Sequence, residues 1–540
     1  MMQMGRKELV GLLAVASMLA GPATAQTPFL ALRDRPVTLG DVLQLSLQQS
    51  PNVLLSKQQA EGARGNAMQA AGGFDMVTEF TTNRTRNRNS LTPLEQAQLV
   101  AAPVDNITSH DSTQSSTRFS VQQPLRSGLI LGSDYTVQRN FDALQALQYG
   151  QLGQAQSSGR LSFSIQVPLL RNTGRDVTGA SAEAAEREAA AAFASHEFDS
   201  SQTVLATTRS YWDFVAKQRL FELALESEAR TKRLLEEMRK LAAADQIPQA
   251  DTELVSASSA EKTAYRVTAE QGLIASRRTL ARQLGMSVLD ELRLSQPATP
   301  FPAADERAAR AASDLAARIE AAMPRRADLR AAELREQSAQ LLRVAAQHNL
   351  KPVANLSFSI SEGGLAIDKS STALASPFST NRTGPTFSVG LQMQWPVENQ
   401  QARGLLLTRS ASAVGAEIQR RDLQDAVGSG IQLAASALSA SVVQLHAAAA
   451  AVHHYEKTLV NENTKRRLGA GTLIDVINIE DRLNNAQQTE VLLRQSYANA
   501  IAQLLFETGE LIRKRGEHEF EVPLDSLLRY AAGPTGTGEH

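Results

Sequence analysis

Three histidines, His446, His453 and His454, come nearest to a ligand set in this 540-residue chain. His446 and His453 are two helical turns apart, about 10 Å, whereas ligands sharing a zinc ion sit about 2 Å from it. The trio therefore reads as a helix surface. No phosphate-binding glycine loop, nucleophile elbow or zinc spacing occurs, and no GxGxxG lies between a strand and a helix. The expectation is a protein that is not an enzyme, with no catalytic, cofactor or metal site. Any energy for work must then come from a partner.

The charge balance adds a second exclusion. With 55 basic and 56 acidic residues, nothing supports a nucleic-acid partner. The first residues carry Arg6 and Lys7, an apolar run from Leu9 to Ala20 and the triplet Ala23-Thr24-Ala25. That pattern is a signal peptide over 1–25 cut after Ala25, its apolar run falling short of the ~20 residues of a spanning helix. An exported chain without cysteine has no disulfide and no thiol for an N-terminal lipid anchor. Aromatic residues make up only 5% of the chain, which favours alanine-rich helices over one large globular core. From Ala426 to Tyr455 no residue carries a formal charge, yet the stretch is mostly Ala, Ser, Gly, Gln and His. Membrane insertion is driven by Leu, Ile, Phe and Val, so this segment reads as a helix packed closely through small side chains.

Two stretches set out where such helices begin. In "SFSIQVPLLRNTGRD", Phe163, Ile165 and Val167 alternate with Ser162, Ser164 and Gln166, and Pro168 ends the strand. In "TFSVGLQMQWPVENQQARG", Phe387, Val389, Leu391, Met393 and Trp395 alternate, closed by Pro396. More than sixty residues of helical composition follow each proline. The strand-to-helix junction is a repeated element.

Other landmarks repeat with it. "SPNVLLSKQQ" and "RADLRAAELR" both open a helix, Asn52 standing against Asp328 at an offset of 276, and alternation resumes in "GFDMVTEF" and "NLKPVANLSFSI". The two prolines are offset by only 228, so the first copy holds 48 more residues between its strands. The excess falls near "STRFSVQQPLRSGLILGSDYTVQRN", which reads as an additional hairpin, and the polar "NRTRNRNSLTPLEQ" predicts that it lengthens the loop side. Farther on, "RRLGAGTLIDVINIEDRLNNAQ" answers "LAAADQIPQADTELVSASS", with Gly469 against Asp245 and Asp475 against Asp251. Gly, or an Asp tolerating a left-handed backbone, suits a helix C-terminus, so both copies turn there. The 73 residues from Pro396 to Gly469 would form a helix roughly 100 Å long. Beyond the turn, Val476, Leu483, Tyr497 and Leu504 keep a seven-residue period, with Glu490 the exception.

The expected organisation is a signal peptide at 1–25, a first repeat at 26–291 with an extra strand-loop insertion at about 91–140, a connector at 292–325, a second repeat at 326–515 and a tail at 516–540. On the duplicated junctions, on "PLLRNTG" and on "RLGAGTLIDVINIEDRLNNAQ", the chain resembles the TolC family of outer-membrane efflux ducts from about Val37 to about Leu511. The resemblance implies a mixed α/β membrane protein. Three protomers would each lend about four strands to one outer-membrane β-barrel, continued by a periplasmic α-helical coiled-coil barrel. It also implies a periplasmic adaptor, an inner-membrane transporter and outer-membrane lipid as partners, in a tripartite efflux or type I secretion system. The adaptor-facing tip would be Asp245, Gln246, Ile247 and Pro248 with Gly469, Ala470, Gly471, Thr472 and Leu473, the apolar Ile247 and Leu473 offering the docking surface. Asp475 matches an acidic position of the family's channel mouth, while Asn478 stands where a second acid is expected. The alternative is a periplasmic coiled-coil adaptor or scaffold, although an adaptor normally shows one helical hairpin and this chain has two.

Overall fold

The computed structural model describes residues 35–94, 96, 109–142, 155–292, 294–311, 313–367, 382–468, 470–516 and 519–528. The expected signal peptide with Ala25, Gly469 and most of the expected tail lie outside the described residues. The chain divides into two compact units, one of Met1–Lys57, His196–Ala327 and Asp425–His540, the other of Gln58–Ser195 and Asp328–Gln424.

Helices α1 (Leu39–Gln49) and α2 (Pro51–Ala71) lead into strands β1 (Val77–Ser90), β2 (Ser109–Pro124), β3 (Ile130–Asp142) and β4 (Gln156–Pro168). Helix α3 (Ala180–Ala243), a turn and helix α4 (Gln249–Gln283) complete the first copy. The second runs through α5 (Ala327–His348), β5 (Val353–Ile367), β6 (Arg382–Gln394), α6 (Gln400–Arg467) and α7 (Leu473–Glu507). The return helices α4 and α7 are both 35 residues long. In the second unit the six strands form one antiparallel sheet in chain order, β1 to β6. Four strands were expected. The two additional ones, β2 and β3, are the inserted hairpin, and they stand within the sheet between β1 and β4 instead of extending a loop.

The first unit is a helical core. Tyr211, Trp212 and Phe214 of α3 pack with Leu438 of α6 and with Tyr497 and Ile501 of α7, all of them inaccessible to solvent. Each large apolar side chain so buried contributes about 1.5–3 kcal/mol. The aromatic hydroxyls tie irregular segments to this core: Thr299 N–H donates to Tyr211 Oη (3.0 Å), Tyr211 donates to the Val37 carbonyl (3.1 Å), and Asp305 N–H donates to Tyr497 Oη (3.2 Å). The uncharged stretch is helical, with one face buried and Leu433 and Val443 exposed on the other. Within α6, the described helix long and apolar enough to cross a membrane, Val427, Ile431, Ala435, Leu438 and Val442 are buried, most of them in the same core. At Gly430 a Cβ would stand 2.9 Å from Glu507 Oε2, so the missing side chain is what lets α7 come close. The heptad positions Val476, Leu483, Tyr497 and Leu504 are all buried.

An ion pair between buried Arg326 and half-buried Glu507 anchors the start of the second copy. The Arg326 guanidinium lies 5.4 Å from the Phe198 ring centre and 5.2 Å from that of Phe506, and donates to Glu507 Oε2 at 3.0 Å. Removing one member of a buried pair strands the other charge and costs about 3–5 kcal/mol, whereas replacing both is often neutral. Arg326→Met alone should therefore lower the unfolding temperature of the solubilised protein sharply, and Arg326→Met with Glu507→Met should recover most of the loss. Calorimetry on the two variants checks this, and equal melting points for single and double variants would contradict it.

Candidate functional site

Two features could carry function, the sheet and the paired helical turns. The register of the sheet carries apolar side chains from strand to strand on one face. Phe80 stands opposite Phe119, Phe119 opposite Tyr135 and Tyr135 opposite Leu161. A neighbouring row runs from Leu131 through Ile165 and Phe358 to Val389. These side chains are exposed: Phe387 by 73%, Phe80 by 67% and Phe163 by 54%. The other face is polar, with Glu79, Ser120, Asp134, Ser162, Ser361 and Thr386 in one row across all six strands. A sheet apolar outside and polar inside, strand after strand, has the alternation of a membrane barrel wall. Toward the end of the sheet away from the helices, the apolar face gives way to the ion pairs Arg86–Asp111 (2.5 Å) and Arg382–Glu362 (2.6 Å).

At its other end the sheet becomes helix. Pro168 is the last residue of β4, and Pro396 lies two residues past β6. Each proline is followed by an asparagine with a left-handed backbone, Asn172 (φ 60°) and Asn399 (φ 51°), a conformation Asn tolerates better than most residues. Both corners are tied to the same short segment before β5. Arg171 Nε donates to Asn349 Oδ1 (3.2 Å), and Asn399 Nδ2 donates to the Leu350 carbonyl (3.0 Å). The proline signal found the corner, but the asparagine that turns it went unread.

The two helical turns come together at one place in the first unit. Ile247 of one turn and Leu473 of the other both pack against a cluster of Leu235, Met238 and Val255. Both are partly buried there. Leu468, exposed by 79%, and Ile474, exposed by 55%, are the apolar residues facing outward there. Asp245, Gln246, Pro248, Ala470 and Thr472 are exposed and Gly471 half-buried. Asp245 has φ 56°, the left-handed C-terminal conformation expected of it. Farther along the helices, Arg230 of α3 donates to Glu480 Oε1 and Asn484 Oδ1 of α7, both at 3.0 Å, and Lys262 of α4 pairs with Asp481 (2.5 Å).

Asp475 and Asn478 are both exposed on the first turns of α7. Thr472 caps the helix, its Oγ1 accepting from Asp475 N–H (3.2 Å) and donating to Asp475 Oδ2 (2.6 Å), while Thr472 N–H donates to the same carboxylate (3.3 Å). The Thr472 hydroxyl and N–H, with a smaller contribution from Lys465, hold the Asp475 carboxyl below the usual carboxylate range. Its folded pKa being lowered, this group stabilises the fold at neutral pH and loses that effect as pH falls through the carboxylate range. His446, His453 and His454 are exposed on α6, and no metal-binding cluster occurs among the described residues.

Residues 319–510 match the outer membrane efflux protein family. The outer membrane protein VceC from the bacterial pathogen Vibrio cholerae superposes with a TM-score of 0.62 at 18% identity, covering 87% of this chain and 96% of that one. The Campylobacter jejuni CmeC outer membrane channel gives 0.61 at 13% identity over 87% and 85% of the two chains. The Neisseria gonorrhoeae MtrE outer membrane channel in its open state gives 0.58 at 14% identity over 87% and 88%. No curated protein matches the chain by sequence. The chain shares the fold of these outer-membrane proteins.

Proposed function

We propose that this chain is the outer-membrane exit duct of a tripartite efflux or type I secretion system, working as a homotrimer that conducts substrate passively. The observation that carries this reading is the six-stranded sheet with one continuous apolar face and with β1 and β6 as its two edges. In lipid every backbone N–H and C=O needs a partner, so an open sheet must close on other copies. Lipid of the outer membrane covers the apolar face, and α3, α4, α6 and α7 continue the passage through the periplasm. A transporter in the inner membrane supplies the energy, and a periplasmic adaptor joins it to the helical turns. Native mass spectrometry of the detergent-solubilised protein should give a trimer. A stable monomer without detergent would overturn the reading.

The adaptor contact is assigned to Leu468 and Ile474, flanked by Gln246, Ala470 and Thr472, because exposed apolar side chains on a helical tip suit the groove of a partner hairpin. Leu468→Asp with Ile474→Asp should abolish cross-linking to the adaptor while the trimer persists. Undiminished cross-linking would place the contact elsewhere.

Threefold symmetry would bring three Asp475 carboxylates to the inner mouth, and Asn478 adds no charge to them. Such a ring attracts cations. In planar bilayers Asp475→Asn should reduce cation preference and weaken block by trivalent cations. Thr472→Ala, which removes the cap at a cost of about 0.5–2 kcal/mol but keeps the charge, should leave selectivity in place. If both variants behave alike, Asp475 acts only as a helix cap.

A further inference from the structure

The inserted hairpin is built into the sheet. β1 pairs with β2 from Val77–Gln122 to Ser90–Ser109, and β3 pairs with β4 from Ile130–Gln166 to Asn140–Gln156, neither with a register shift. Its apolar residues fall on the same face as those of the other strands, Phe119 and Tyr135 bridging Phe80 to Leu161. A loop folded over the barrel mouth, or a plug within it, would need no such phase. The turn of the hairpin is also fitted to the strand-to-helix corner. Gly128 has φ 93°, and a Cβ there would stand 2.2 Å from the Asn172 carbonyl oxygen and 2.9 Å from Pro168 Cγ. Gly174 N–H donates to the Ser127 carbonyl at 3.3 Å, and Thr178 donates to that of Arg126.

We propose that the hairpin Ser109–Asp142 is part of the barrel wall, so that the trimer closes eighteen strands where four per protomer would close twelve. This rests on the duct reading and goes beyond it. With strands about 4.8 Å apart and tilted about 40°, eighteen give a backbone diameter of about 36 Å and twelve about 24 Å. The lumen face of the hairpin carries Ser116, Ser120 and Thr136 with Arg118 and Asp134, groups that line a passage without closing it. The barrel end therefore admits solutes too bulky for a twelve-strand lumen.

The chain has no cysteine, so introduced pairs report single contacts. In the trimer, Thr78→Cys with Val121→Cys, and Ser133→Cys with Phe163→Cys, should each be bridged by a short bifunctional thiol reagent. Phe80→Cys with Leu161→Cys should not, since three strand spacings of about 4.8 Å hold them about 14 Å apart. Because a variant can fail to assemble, projection images of the unmodified trimer provide the second measurement, with a barrel near the larger diameter expected. A bridge between β1 and β4, or a trimer with the narrower barrel, overturns the proposal while leaving the duct intact. Absence of a trimer overturns the duct reading itself.

Discussion

The requirement that organises this molecule is that no strand of a sheet with an exposed apolar face can be left without a neighbour. Inside the chain it is met five times, by the successive pairings of β1 through β6. At the two edges, β1 and β6, it is not met within the chain. The apolar face raises the stakes, because Phe80 near one edge and Phe387 near the other are among the most exposed aromatic side chains described. In the proposed duct, assembly supplies the missing backbone partners and brings lipid to the apolar face in one step.

The change from sheet to helix is a second demand, and both copies meet it alike. A proline ends the ladder, because it has no N–H to give, and a left-handed asparagine then redirects the chain. The corners share their anchor at Asn349 and Leu350, so the two strand-to-helix turns are braced against each other through one segment. The helices that follow are joined by different chemistry at different heights. Small residues such as Gly430 allow close approach in the aromatic core, whereas Arg230, Glu480 and Asn484 form a polar seam nearer the turns. Polar contacts constrain the register between helices more strictly than methyl groups do.

Much of this was legible in the sequence because duplication writes each landmark twice. Helix α2 and strand β1 start 276 residues before α5 and β5, and the prolines, the paired turns and the heptads of α7 fall where the pattern puts them. The hairpin was half legible. Phe119, Val121, Tyr135 and Val137 alternate clearly, but the rest of β2 and β3 is largely Ser, Thr, Gln and Asn, whose polarity on both faces resembles a loop. At the turns, composition identified apolar residues without saying which way they point. Leu468 and Leu473 are chemically identical, and only the phase of the helices separates the exposed one from the one packed on Val255.

The inserted hairpin also shows how such a protein can grow. Every strand reverses the chain, so adding one would deliver α3 to the opposite end of the sheet from α6. Adding two restores the direction, and both helices leave the sheet at the same end. Enlargement is therefore governed by parity: a protomer can lengthen its share of the sheet only in even steps, and in the proposed trimer the smallest step is six strands. The width of the barrel is in this sense quantised, while the lengths of its helices, matched at 35 residues in α4 and α7, are free to stay as they were.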